Sequence, residues 1–278
     1  MYFVFGISMG NRIDQTFTDL SAAGRAGLFP FLVAGQGGLE TTVALILKLQ
    51  SLGVSGIEVG FPFTDPVADG PVIQAAFNDA LAGGATVKKV FDALQGAREK
   101  ITIPLVAMVS ASIVYRVGID AFLDRAGPAG FDGVIIPDLS LEEAPAIKEK
   151  IVERDLRLVM LVAPTSSPER QERIARLATG FVYYMSVTGI TGERDALPAE
   201  LAENLRRLKA LANIPVLVGF GISRADHVRL VSGVADGAIA GSAIVRRITE
   251  AQADGADQAG IVDRVGTYVG ELLTGLDA

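Results

Sequence analysis

Apolar, β-branched runs recur along the chain, with amphipathic stretches between them. The runs begin near Leu28 (LFPFLVAG), Gly56 (GIEVGFP), Pro104 (PLVAMVS), Gly133 (GVIIPDL), Arg157 (RLVMLVAP), Phe181 (FVYYMSV), Pro215 (PVLVGFG) and Gly237 (GAIAGSA). Most are continuously apolar rather than alternating, the pattern of parallel strands covered on both faces. Between them, residues 41–52, 87–100, 118–126, 142–154, 168–178 and 199–212 carry aliphatics at helical spacing on one side and polar residues on the other. Ser140 before Leu-Glu-Glu, and Ser167 before Pro168 and Glu169, mark two helix starts. Eight strands alternating with helices predict an α/β fold, a closed (β/α)8 TIM barrel with an extra N-terminal helix. An open doubly wound sheet is the competing arrangement. It is disfavoured because no G-x-G-x-x-G follows the first run and no second domain is marked out. The chain therefore reads as one barrel domain over residues 1–278, with residues 1–10 as a flexible lead-in.

The spacing is uneven twice. About 48 residues separate the starts of runs two and three, and about 34 those of runs six and seven. Long loops are thus expected after strands 2 and 6. In such barrels the active site is built from strand C-terminal ends and the loops that follow them.

Composition narrows the chemistry. Half of the 278 residues are hydrophobic, ample for one large core. The net charge of −7, with no basic stripe, argues against nucleic acid and anionic membranes as partners. No stretch approaches the ~18 apolar residues of a membrane helix. The apolar N-terminus lacks the basic start of a signal peptide. There is no cysteine, which excludes disulfides, thiolate nucleophiles and cysteine-ligated metals and agrees with a cytoplasmic address. The single histidine, His227, argues against a Ser-His-Asp triad and reads as a surface or cap residue.

Candidate chemistry concentrates in Glu58 to Pro71. Glu58 interrupts a buried strand, where a carboxylate is costly unless it is paired or used. Asp69 follows eleven residues later, in a loop stiffened by Pro62, Pro66 and Pro71. Two carboxylates in different environments can serve as an acid and a base. The plainer readings are a hydrogen-bonded interior carboxylate for Glu58 and Asp-Gly-Pro turn chemistry for Asp69. A second constellation, Gly219 to Ser223 with Gly241 and Ser242, follows runs seven and eight. Backbone amides there, and a helix starting at Ser242, would face an anion such as phosphate, the alternative being simple turns. The stretch Thr188 to Asp195 reads as a lid or as a loop without a role. Tyr183 reads either as a hydroxyl aimed into the pocket or as core. Arg246-Arg247, like Arg206-Arg207, reads as a solvated helix face.

These residues carry a resemblance. E-x-G-x-P-F-[ST]-D-P-x-A-D-G-P from Glu58 to Pro71, Pro137-Asp138-Leu139, Gly189 to Gly192, Gly219 to Ser223 and Gly241 to Val245 occur in the same order in the tryptophan synthase alpha subunit family, which the chain resembles from Asn11 to its last helix. The resemblance implies a carbon–carbon lyase of tryptophan biosynthesis that cleaves indole-3-glycerol phosphate to indole and glyceraldehyde 3-phosphate, a retro-aldol reaction without a cofactor. It implies Glu58 as acid and then base, and Asp69 as partner of the indole N–H. Phe31, Ile135, Tyr183 and Thr191 would line the substrate pocket, and Gly192, Phe220, Gly221, Gly241 and Ser242 would hold the phosphate. It further implies a pyridoxal-phosphate-bearing beta subunit, a heterotetramer, and Asp65-Pro66 in the loop facing that partner.

The chain departs from the family pattern at Gln36, where A-G-D-P is expected, at Ala111 and Ser112, where a Tyr and an Asn are expected, and at Ser140, which replaces a proline. Other readings are a stand-alone indole-releasing lyase, a weakly active homologue serving as an allosteric binding partner, and a phosphate-binding barrel isomerase.

Overall fold

The computed structural model describes residues 10–66, 69–185, 199–219 and 221–277. Strands β1 (Gly27–Val33), β2 (Ile57–Gly60), β3 (Leu105–Met108), β4 (Gly133–Ile135), β5 (Arg157–Val162), β6 (Val182–Met185), β7 (Val216–Gly219) and β8 (Gly237–Ala240) pair in chain order as a closed parallel barrel. Each begins within one residue of the run expected for it.

Helix α1 (Arg12–Ala22) precedes β1, and α2 (Leu39–Leu52) follows it. Between β2 and β3 lie α3 (Pro71–Ala82) and α4 (Val87–Ala97); between β3 and β4, α5 (Ala111–Val117) and α6 (Ile119–Ala126). Then come α7 (Ala144–Val152), α8 (Pro168–Leu177), α9 (Ala199–Leu211), α10 (Ala225–Ser232), α11 (Ser242–Ala253) and α12 (Gln258–Leu273).

Three helices depart from the expected pattern, among them α5, which lies ahead of the stretch expected to be helical over residues 118–126. The long stretch after Glu58 is not all loop, because α3 begins at Pro71. Proline suits the first helical position, where no intrahelical N–H bond is lost, and Ile73, Ala76, Phe77 and Ala80 give the helix one buried face. Helix α7 begins at Ala144 rather than beside Ser140. Ser140 still forms a reciprocal cap: its Oγ donates to Glu143 Oε2 at 2.6 Å and accepts from the Glu143 N–H at 3.2 Å.

The period-two alternation of strand side chains sends one set outward to the helices and the other into the barrel. Phe29, Val106, Ile135, Val159, Phe181, Leu217 and Ile239 fill the interior. Helix α1 seals one end with Ile13 and Phe17; Phe17 stacks on Phe29 at 5.6 Å and meets Phe181 edge-on at 5.8 Å. The seal is anchored by polar groups. Asn11 Nδ2 donates to the carbonyls of Asp132 and Asp155 at 2.9 and 2.7 Å, and Arg12 grips both oxygens of Asp132 at 2.8 Å. Bidentate geometry makes the Arg12–Asp132 pair a strong one. The functional residues gather at the opposite, C-terminal end of the strands.

Candidate active site

A cleft of about 1020 Å³ opens over the C-terminal ends of the strands. Its floor carries Glu58. On the short strand β2, Ile57 and Val59 face the outer core, so alternation turns Glu58 inward. The residue is fully buried, and neither carboxylate oxygen has a hydrogen-bond partner among the described residues. Burial pushes its carboxyl up to about 8, so it holds a proton at neutral pH.

Phe31 is paired with Glu58 across the β1–β2 ladder and walls the cleft beside it. Its ring lies where a Cβ on Gly60 would stand, 2.6 Å from Cζ. Glycine at position 60 is thus the space the aromatic wall occupies.

Asp69 reaches the cleft from the loop between β2 and α3. Its N–H donates to the Pro66 carbonyl at 3.1 Å, and Gln74 Nε2 on α3 donates to the Asp69 carbonyl at 2.8 Å. Half-buried, its carboxyl lies above the ordinary carboxylate value because of that burial. Tyr183 stands on β6. Its phenol is pushed well above its usual value, by burial first and then by the charges of Glu58 and Asp69. Tyr183 is therefore a hydroxyl within the electrostatic reach of both carboxyls.

The other end of the cleft suits an anion. Gly241 is the N-cap of α11, and no side chain among the described residues caps that helix. The Ile244 and Val245 N–H groups return to the Gly241 carbonyl at 2.8 and 3.1 Å, while Ser242 and Ala243 line the cleft. An uncapped helix start presents N–H groups and the positive end of the helix dipole. Gly221 contributes from the loop after β7 with φ +77°, a backbone that favours glycine. Arg224, Arg246 and Arg247 stand at the mouth. Arg224 pairs with Asp226 and Arg247 with Glu250, both at 2.8 Å, whereas Arg246 has no acidic partner among the described residues.

Phe31, Glu58, Asp69, Tyr183, Gly221, Gly241 and Ser242 all line this one cleft. Ile135 does not: it is fully buried in the interior layer, against which Tyr183, Met108 and Leu161 pack. Thr191, Gly192 and Phe220 lie outside the described residues. His227 is not a surface residue. It is 2% exposed and lines the cleft, because α10 turns its inner face to the loop after β7. Arg246 and Arg247, expected on a solvated face, are solvated at the cleft mouth.

Sequence reasoning gave no role to the cluster around Asp138, which also lines the cleft. Asp138 accepts from Ser110 Oγ at 2.9 Å and from the Ala111 N–H at 2.8 Å. Its place in Pro-Asp-Leu, just past a strand end, is the signal that marks it. Gln36 is buried; its Nε2 donates to the Val245 carbonyl at 3.2 Å and to Thr249 Oγ1 at 3.0 Å, tying the loop after β1 to α11.

A family-wide sequence profile, tryptophan synthase alpha chain, matches residues 17–272. The chain belongs to the tryptophan synthase alpha chain family. It is 41% identical over 274 residues to the alpha chain of Rhodopirellula baltica, covering 96% of this chain and 99% of that one. Against the alpha chain of a Synechococcus strain it is 44% identical over 242 residues, 87% of this chain and 90% of that one. Among solved structures, the alpha subunit of Legionella pneumophila superposes with a TM-score of 0.88 at 33% identity, over 96% of this chain and 98% of that one. Mycobacterium tuberculosis tryptophan synthase gives 0.86 at 34% identity, over 97% and 99%. Members of this family are lyases that work with a beta subunit, and the closed barrel described above is their fold. None of the helices among the described residues is long and apolar enough to cross a membrane.

Proposed function

We propose that this alpha chain cleaves indole-3-glycerol phosphate to indole and glyceraldehyde 3-phosphate, with Glu58 and Asp69 carrying the proton transfers. The observation behind this reading is the buried Glu58 carboxyl, unpartnered among the described residues and protonated at neutral pH, on the floor of a cleft that ends in an uncapped helix start.

The phosphate sits at the Gly241–Ser242 and Gly221 end, which directs the indole toward Phe31 and Glu58. Glu58 gives its proton to indole C3, forming a cationic indolenine whose N–H is held by the Asp69 carboxylate. The Glu58 carboxylate so formed then takes the proton of the adjacent glycerol hydroxyl. The O–H electrons become the aldehyde C=O, the C–C bond breaks, and its electrons return to the ring. Glu58 ends protonated, as it began, and no proton or electron is left over. Tyr183, held as a hydroxyl, orients the substrate between the carboxyls. Glu58 needs burial to hold its proton, and Asp69 needs partial solvation to lose its own; the two environments differ in that sense.

The reaction uses no cofactor on this chain. In this reading the indole passes to a pyridoxal-phosphate-bearing beta subunit in a heterotetramer, in the cytoplasm, and Asp65-Pro66 lie on the partner-facing loop. The test is indole release from indole-3-glycerol phosphate by the purified chain, alone and with a tryptophan synthase beta subunit. Weak release that rises with the partner supports the reading. Strong release unaffected by the partner points to a free-standing lyase. No release from a folded chain, with or without the partner, overturns it.

A further inference from the structure

His227 is the only histidine in the chain, and the acid–base steps leave it unused. Its ring is buried at the anion end of the cleft, on the first turn of α10. Nδ1 lies 3.2 Å from the Gly221 carbonyl and 3.4 Å from the Ser223 N–H nitrogen. Those two contacts make opposite demands. The carbonyl needs a proton on Nδ1, and the N–H needs a bare Nδ1. One neutral tautomer satisfies one of them only. Nε2 is buried and has no partner among the described residues, so nothing on that side fixes the choice. Ser223 is also held through the following peptide, since Tyr268 Oη on α12 donates to the Ser223 carbonyl at 2.8 Å.

We propose that His227 is a positioning residue for the phosphate of the substrate, a tautomeric latch that exchanges the Ser223 N–H for the Gly221 carbonyl when the anion arrives. With the cleft empty, Nδ1 is bare and accepts from Ser223, and the proton sits on Nε2. A bound phosphate monoester recruits the Ser223 N–H as a charge-assisted donor, stronger than the bond to a neutral ring. Nδ1 then carries the proton and donates to the Gly221 carbonyl, holding the glycine turn in its left-handed conformation around the anion. The exchange moves one proton from Nε2 to Nδ1 through solvent and changes no net charge. The proposal rests on the phosphate reading of the cleft and adds the device that couples its loop to occupancy.

Because there is one imidazole, the wild-type chain itself reports the state. In the chain labelled with 15N-histidine, two-bond 15N–1H correlations distinguish the two neutral tautomers. Saturating sn-glycerol 3-phosphate, with binding followed separately by calorimetry, is expected to move the ring from the Nε2–H to the Nδ1–H pattern. Binding by calorimetry with an unmoved imidazole overturns the latch while leaving the phosphate site standing. Absence of binding overturns both. Variants add a functional readout. His227→Leu removes both bonds and should raise KM for indole-3-glycerol phosphate about tenfold with kcat little changed. His227→Asn, whose amide can turn either its oxygen or its nitrogen to the loop, should recover most of that loss. Equal KM in the folded Leu variant and the wild type, or Asn no better than Leu, counts against the latch.

Discussion

Tyr183 lies across Gly219 of the neighbouring strand: a Cβ built on Gly219 would overlap the Tyr183 ring and hydroxyl. The strands pair with Met185 opposite Gly219, so Tyr183 leans along the barrel wall into space that the missing side chain leaves open. The same device sets Phe31 over Gly60 and Phe29 over Gly56. Aromatic rings are thereby aimed by glycines one strand away.

That relationship predicts the behaviour of Gly219→Ala. The added methyl must displace Tyr183, costing roughly 1–3 kcal/mol of stability as overpacking. Moving a positioned group by about an ångström should lower turnover about 10- to 100-fold. Tyr183→Phe, which keeps the ring in place, should fold as wild type and lose less activity. Thermal melts and steady-state kinetics of both variants check this; a fully active Gly219→Ala would show that Tyr183 does not position substrate.

Glu58→Gln should lower turnover by about 10²–10⁴, as for loss of a general acid–base group. The same variant should be more stable than wild type, increasingly so as pH rises. Glu58 is raised from 4.5 to about 8 in the folded chain, so the unfolded chain releases this proton first. Its contribution is therefore fully present below pH 4.5 and lost as pH rises toward 8, at roughly 1 kcal/mol per pH unit. Urea unfolding at pH 5 and pH 8 reads the difference; a pH-independent gap between the two proteins would mean that Glu58 is not held protonated.

The pH profile of kcat/KM should fall on the alkaline side with an apparent value near 8, from Glu58 losing its proton. That limb should vanish from the residual activity of Glu58→Gln. A wild-type profile flat through pH 9 would rule out Glu58 as the proton donor.

Asp69→Asn should also lower turnover by about 10²–10⁴, but with little change in stability. Its side chain is only half-buried, and the loop is held through its backbone by Pro66 and Gln74. Kinetics and unfolding of the same preparation separate the two effects. A large loss of stability alongside the lost turnover would assign Asp69 to the loop rather than to the chemistry.

Gly241→Asp should weaken binding of glycerol phosphate ligands more than it slows bound substrate. A Cβ there would meet Phe31 only at 3.7 Å, so there is room for an aspartate side chain. Its charge then opposes an anion at the start of α11. Calorimetric titration with sn-glycerol 3-phosphate is the check, and unchanged affinity would remove the phosphate site from this helix.

Strand order, the placing of Glu58 within a buried strand and the start of α11 are legible because each follows from a local rule. Continuous apolar runs mark buried parallel strands, a carboxylate inside such a run shares its burial, and glycine before Ser242 opens a helix. α3 was hidden because its buried residues follow a proline-rich loop that reads as irregular. Ile135 and His227 show the limit of such rules. A barrel interior has layers, and which layer Ile135 joins depends on the stagger of eight strands. Whether His227 faces water or the loop after β7 depends on how α10 docks, which its own eight residues do not reveal.

The sequence by itself determined the alternation of elements, the family and the pair of carboxyls, since periodicity, turn chemistry and motif order are properties of neighbouring residues. Only the tertiary structure decided that Glu58 holds a proton near pH 7, that glycines aim Phe31 and Tyr183, and that His227 faces two conflicting partners. Proton affinity depends on everything that excludes water from a group, and ring placement on side chains that are absent from the next strand. Those environments are assembled from residues far apart in the chain and exist only once the barrel has closed.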